Sequence, residues 1–285
     1  MSRFRLRGRR KKNKNMRRDR IPLRAIVPNL ITSLAACAGI TSISLSSEGR
    51  YLPAFWALLI ACVCDGLDGR VARMLNASSK LGAELDSLAD FVNFGVAPAM
   101  FMFFWLTGGP THEGVNPMLV RLTLASALFY AMCDCFRLAR FNTMLEQPTL
   151  PYWKNFFLGV PAPGGAWMVL SPAVLVSALD TKEACPIIRE TLQNPYFGIF
   201  MLLFVGSLMA SRIPTISLKS VHISKSYLLP VMAGLLLLIA FLVSNFWLTI
   251  GVVGILYIFT VPVTALVFLK AKARYEQELA TGDEK

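Results

Sequence analysis

The sequence predicts an all-α membrane protein that crosses the bilayer about eight times, with both termini on the cytoplasmic side. Three observations carry that expectation. Of the 285 residues, 55% are hydrophobic and 16% charged, a balance richer in apolar and poorer in charged side chains than a soluble domain. Apolar runs recur along nearly the whole chain at about 20 residues each, the length a helix needs to cross the hydrocarbon core. The basic residues collect on alternate loops, as they do where cytoplasmic loops are positively charged.

The expected spans lie at 26–46, 52–74, 82–107, 119–141, 158–179, 194–211, 226–244 and 247–270. With the N-terminus inside, the inner connections and their flanks carry Arg70, Arg73 and Lys80, then Arg137, Arg140 and Lys154, then Arg212, Lys219 and Lys225. The C-terminal end adds Lys270, Lys272 and Arg274, whereas the outer loops carry Arg50, Arg121, Lys182 and Arg189. The first span opens with "PNLIT" at its cytoplasmic start. The second ends, and the third begins, in a charged stretch on that same side. Phe101, Phe103, Phe104 and Trp105 on the third span read as lipid-facing or interfacial. Pro161, Pro163, Gly164 and Gly165 open the fifth span, where they kink it or make room for an acyl chain. The last two spans, joined by "VSNFW", are nearly featureless and are expected to serve packing. The domain division that results is a basic cytoplasmic arm (1–25), a transmembrane domain (26–270) and a polar cytoplasmic tail (271–285).

The net charge of +12 is almost all in the arm, where residues 1–24 hold twelve Lys/Arg against Asp19 alone. A basic run just before a membrane span anchors to anionic headgroups, and this is preferred to a nucleic-acid arm. The cysteines form no disulfide framework; Cys62/Cys64 and Cys133/Cys135 are C-x-C pairs in apolar segments, without the spacing or the histidines of a zinc site. "LAAC" at 34–37 resembles a lipoprotein cleavage box, but seven further apolar segments follow it. "NAS" at 76–78 lies on a cytoplasmic loop and is not a glycosylation site.

The chemistry is concentrated in "CDGLDGRVARMLNASSKLGAELDSLAD", residues 64–90. Charged side chains at membrane depth are costly and mark function. Asp65 and Asp68 are three apart and Asp86 and Asp90 four apart, so each pair shares a helix face. Gly82 lies one turn before Asp86 on its face, and Gly69 follows Asp68. Small residues there let helices, or a ligand, approach closely. Four such carboxylates repel unless cations bridge them, and oxygen ligands alone select Mg²⁺ or Mn²⁺ over zinc. Two such ions form a clamp for in-line phosphoryl displacement. The bland alternative is an ion-pair network with Arg70, Arg73 and Lys80. An intramembrane aspartyl protease needs only two aspartates. A cation transporter is expected to carry its acidic residues through the depth of the bilayer.

The stretch reads D65-x2-D68-G69-x2-A72-R73-x8-G82-x3-D86-x3-D90 and resembles the signature of the CDP-alcohol phosphatidyltransferases, with every fixed position present. The resemblance implies attack of an alcohol on the β-phosphate of a CDP-linked lipid, CDP-diacylglycerol, with release of CMP. It implies Asp65, Asp68 and Asp86 on one divalent cation and Asp65, Asp86 and Asp90 on a second, with Asp90 also as general base. Gly69, Arg73 and Ser79 match positions that hold the nucleotide and phosphates, and Asn29 to Thr32 match a further nucleotide-contacting segment. A homodimer in the cytoplasmic (inner) membrane, with its active site facing the cytoplasm, completes what the family implies.

For the acceptor, "LADFVNFGVAPA", "CFRLARFN", "FFLGVPAPGGA" and "SRIPTISLK" are similar to the branch that uses L-serine. Asn93 replaces an expected Ser and Gly164-Gly165 an expected Ala, both bearing on the acceptor pocket. Arg137 and Arg140, at i and i+3 near the inner end of the fourth span, with Asn142 beside them, are candidates for the acceptor's carboxylate, which suits a guanidinium fork. Glycerol 3-phosphate or inositol phosphate would need a basic pocket too, so the acceptor stays open at this level.

Overall fold

Backbone polar groups at membrane depth must be paired within their own segment, which favours helices wherever the chain is continuously apolar. The computed structural model, which describes residues 26–77, 79–112, 114–144, 156–179, 186–211, 214–216 and 227–281, follows that rule. Its helices are α1 (Ile26–Ser47), α2 (Tyr51–Met74), α3 (Lys80–Leu106), α4 (Pro117–Met144), α5 (Ala162–Leu179), α6 (Pro186–Gln193), α7 (Pro195–Ala210), α8 (Leu228–Ser244) and α9 (Phe246–Thr281). Two three-residue strands, Phe156–Leu158 and Pro214–Ile216, pair antiparallel with Phe156 opposite Ile216. The basic arm, Lys154, Lys182, Arg212, Lys219 and Lys225 lie outside the described residues.

Among the described residues, six helices are long and apolar enough to cross a membrane, or seven if α6 and α7, bent by 61° at their junction, make one span. The expected seventh span is the shorter α8, of 17 residues. The fifth starts later than expected, at Ala162. Gly159, in the left-handed region at φ 73°, and Pro161 end the strand and begin the helix, whose Gly165 N–H donates to the Pro161 carbonyl at 2.9 Å.

Local chemistry sets the turns that matter for the site. After α1, Gly49 takes φ 74° and Arg50 N–H returns to the Leu45 carbonyl at 2.9 Å, so the chain reverses and α2 packs antiparallel on α1. A glycine C-cap of this kind avoids the Cβ penalty of the left-handed conformation. At the other end of α2, Asn76 adopts φ 49°, a conformation asparagine tolerates better than most residues. Ser79 then caps α3, its hydroxyl accepting from Gly82 N–H at 3.0 Å. This short connection brings the end of α2 alongside the start of α3.

The buried core gathers Phe94, Phe101 and Met102 of α3 with Tyr130 of α4, Met168 of α5, and Leu202 and Met209 of α7. α3 is surrounded by α1, α2, α4, α5 and α7. This corrects the reading of its aromatic run: Phe101 is 2% and Phe103 6% exposed, and only Phe104 and Trp105 are half-buried. Hydropathy cannot tell a helix ringed by helices from one that faces lipid. α8 errs the other way, since it touches chiefly α9 and exposes its apolar side chains from Val231 to Val243. α9 packs on α5 through Trp167, whose indole N–H donates to the Ile250 carbonyl at 2.9 Å.

Helix α1 approaches α3 at Gly39, where an added Cβ would clash with Asn93 Oδ1. Gly39→Ala is therefore expected to destabilise the protein by about 1–3 kcal/mol through overpacking. Gly234→Ala on α8, where nothing lies within 4 Å, should leave the melting temperature in detergent unchanged or slightly higher. Equal melting temperatures for the two variants would contradict the packing described.

Candidate active site

The turn at 75–79 places the two aspartate pairs on facing helices. Asp65, Asp86 and Asp90, all half-buried, each offer one carboxylate oxygen within 4.8 Å of the others. Asp90 Oδ1 is buried without a hydrogen-bond partner among the described residues. Asp68, the fourth expected ligand, is 4% exposed and faces α1, where the Thr32 hydroxyl donates to its Oδ2. Three carboxylates come together and the fourth stands beside them on a hydroxyl.

The ion-pair alternative can be tested directly. Among the described residues, neither Arg70, Arg73 nor Lys80 comes within 4.0 Å of an acidic oxygen; the pairs formed are Arg50 with Glu48 and Arg137 with Asp134. An oxygen-only cluster without basic partners, one of its oxygens buried and unpaired, fits a hard divalent cation.

An open cleft of about 170 Å³ adjoins the cluster, lined by Asp68 and Asp86 together with Asn29, Thr32, Gly69 and Ser79. Four of the five residues expected at the nucleotide thus share one wall. Their closeness depends on glycine. A Cβ at Gly82 would stand 3.0 Å from Asn29 Oδ1 and 3.2 Å from Ser79 Oγ, so the bare backbone lets α1 and the cap meet there. At Gly69 an added Cβ would meet nothing within 4 Å; the space above it is open to a ligand. The fifth residue, Arg73, is exposed, and its Nε donates to the Gly69 carbonyl at 3.0 Å on its own helix.

The acceptor candidates separate. Arg137, mostly buried, points into the bundle, pairs with Asp134 at 3.9 Å and interacts electrostatically with Asp90. Arg140 instead binds the end of α7, its guanidinium donating to the Ala210 carbonyl at 2.7 Å and the Ser211 carbonyl at 3.1 Å. That is the role a cation takes at a helix C-terminus. Asn142 donates to Ser87 Oγ at 3.0 Å, tying α4 to α3.

Sequence reasoning named Asn93 in this region but not the backbone that carries it. Directly after Asp90 the helix widens into a π-helical turn, Phe91–Val96, a feature frequent at functional sites. It carries Asn93, 1% exposed with both amide atoms unpartnered among the described residues, and Gly95, where a Cβ would stand 2.8 Å from Asp134 Oδ2. The Tyr130 hydroxyl donates to the Phe94 carbonyl in this turn at 2.9 Å. The i, i+3 spacing of Asp134 and Arg137 was the available signal.

Comparison with known proteins gives the family. The model of the CDP-alcohol phosphatidyltransferase family matches residues 25–205. The chain is 35% identical over 238 residues to the CDP-diacylglycerol–serine O-phosphatidyltransferase of Mycobacterium leprae (strain TN), covering 83% of this chain and 73% of that one. It is 35% identical over 196 residues to the enzyme of that name from Helicobacter pylori (strain J99 / ATCC 700824), 69% of this chain and 74% of that one. With the one from Saccharomyces cerevisiae it shares 38% over 181 residues, 61% of this chain and 60% of that one. The protein belongs to the CDP-alcohol phosphatidyltransferase family.

Gly69 separates folding from binding. Gly69→Leu should leave the melting temperature nearly unchanged, because its side chain enters open space, while weakening binding of a cytidine nucleotide on the order of tenfold by filling the cleft. Unchanged nucleotide affinity, measured by calorimetry in detergent, would remove Gly69 from the binding wall.

Proposed function

We propose that this protein transfers the phosphatidyl group of CDP-diacylglycerol to the hydroxyl of L-serine, forming phosphatidylserine and releasing CMP. The observation that carries the reading is the convergence of Asp65, Asp86 and Asp90 on one point beside a glycine-floored cleft, in a chain whose curated relatives carry that activity in their names. It is a multi-pass membrane enzyme, and we place its active site on the cytoplasmic face of the inner membrane, where the basic arm meets anionic headgroups. A homodimer is part of this reading, as is the three-part division at residues 25 and 270.

Asp65, Asp68, Asp86 and Asp90 would hold two divalent cations, Mg²⁺ or Mn²⁺, with Asp65 and Asp86 shared between them. Bound there, the cations neutralise the pyrophosphate and make the β-phosphorus a better electrophile. The protein's own groups do the rest. Asn29, Thr32, Gly69 and Ser79 line the space for the cytidine phosphate, with Arg73 at its rim as an exposed cation. Thr32 fixes the Asp68 carboxylate by its hydrogen bond. Asp90 takes the proton from the serine hydroxyl, which is a weak nucleophile near neutral pH. The serine oxygen then bonds to the β-phosphorus as the bond to the oxygen bridging to the α-phosphate breaks, and CMP departs with that electron pair. Arg137, which interacts electrostatically with Asp90, is the cation suited to the acceptor's carboxylate. Arg140 and Asn142 hold α4 against α7 and α3.

CMP release from CDP-diacylglycerol by the purified protein should require a divalent cation and L-serine, and should not proceed with glycerol 3-phosphate or inositol phosphate. Asp90→Asn should lower kcat by about 10²–10⁴-fold, the range for loss of a general base. Release with another acceptor would keep the chemistry and change the product. No release from folded protein with any acceptor would return the aspartates to ion transport or structure.

A further inference from the structure

Asp134 is a fully buried carboxylate that the mechanism above does not use. It is 0% exposed, and neither of its oxygens has a hydrogen-bond partner among the described residues. Its ion-pair partner among the described residues is Arg137 at 3.9 Å, whose Nε is likewise buried and unpartnered, and Asp90 is a second charge that it feels. Space for the carboxylate is provided from another helix by Gly95, where an added Cβ would come within 2.8 Å of Oδ2. The charged and polar groups that interact with Arg137 are Asp134 and Tyr130 of its own helix, Asp90 of α3 and Tyr257 of α9.

A buried ion pair with free hydrogen-bonding capacity on both partners is a poor stabilising device. Hydrophobic replacement of such a pair is often neutral or better, and its retention points to specificity. The location says what would be selected. In L-serine both charged groups sit on the carbon next to the one bearing the hydroxyl. Groups that sense them must therefore lie near the base, and both members of this pair interact electrostatically with Asp90.

Resting on the serine reading, we propose that Asp134 is a positioning residue that sets the acceptor class. It holds the Arg137 guanidinium inside the bundle and offsets its charge, so that the pair itself is neutral, which suits a zwitterion and rejects a phosphate dianion. Without Asp134, Arg137 stands as an uncompensated cation that would extend toward the headgroups or attract an anionic acceptor. Like-charge juxtaposition is the general means of suppressing wrong partners at such sites.

Two substitutions on different helices test this, Asp134→Asn and Gly95→Ala, the second displacing the carboxylate without removing it. In each, KM for L-serine should rise on the order of tenfold while KM for CDP-diacylglycerol and Mn²⁺ affinity stay within about twofold. The inhibition constant of glycerol 3-phosphate against serine should fall by a similar factor in Asp134→Asn. A general loss of packing would move both substrates' KM together and would not improve binding of an anion; that outcome overturns the proposal. If Asp134→Asn does not fold, Asp134→Asn/Arg137→Gln removes the unpaired charge, and it should fold with serine saturation lost and no gain in glycerol 3-phosphate inhibition. The wild-type protein gives a check that needs no variant: glycerol 3-phosphate binding more tightly than serine sinks the idea. Absence of serine-dependent CMP release from wild type would instead refute the serine reading itself. Serine turnover with an unaltered Asp134→Asn KM would refute this proposal alone.

Discussion

Carboxylates held a few ångströms apart and half-buried in a largely apolar bundle repel one another more than they would in bulk water. Asp65, Asp86 and Asp90 are placed in that position by two helices and one short turn. The surrounding architecture serves to keep them there. Gly49 reverses the chain so that α1 covers Asp68, Asn76 and Ser79 reverse it again so that α3 faces α2, and Gly82 lets the three segments close together. Among the described residues no lysine or arginine lies within 4.0 Å of these three carboxylates, an arrangement that suits a bound cation.

The same design recurs one layer deeper. Asp134, Arg137 and the π-helical turn after Asp90 form a second polar group behind the first, again with unpartnered buried atoms. A bundle that stabilised itself for its own sake would fill these positions with hydrocarbon, as it does around Met102, Met168 and Leu202. Among the described residues, unpartnered buried polar atoms of Asp90, Asn93, Asp134 and Arg137 stand in this region instead. Buried polar atoms without partners cost stability, so packing alone gives no reason for them here.

The fold class and the carboxylate cluster were legible in the sequence because both depend on short-range spacing: the length of apolar runs, and i, i+3 and i, i+4 intervals along one helix. What depends on the neighbours of a helix was not. Phe101 and Phe103 looked lipid-facing, but α3 is ringed by other helices; α8 looked like a packing element, yet it is largely uncovered. Arg137 and Arg140 looked equivalent by spacing. The structure separates them because α7 ends beside Arg140, whose guanidinium takes up its last carbonyls. The relation of Asp134 to Gly95 appears only when α3 and α4 are set side by side.

The central claim is that the aspartates between α2 and α3 exist to hold cations, and stability in detergent with and without metal tests it most directly. Thermal unfolding would be followed for wild type and Asp86→Asn in EDTA and in Mn²⁺. Removing one repelling charge should raise the melting temperature of the variant above wild type in EDTA, and the rise that Mn²⁺ gives wild type should be lost or greatly reduced in the variant. A variant less stable than wild type in EDTA, together with no effect of Mn²⁺ on either protein, would mean that the carboxylates are satisfied within the protein and that the account is wrong.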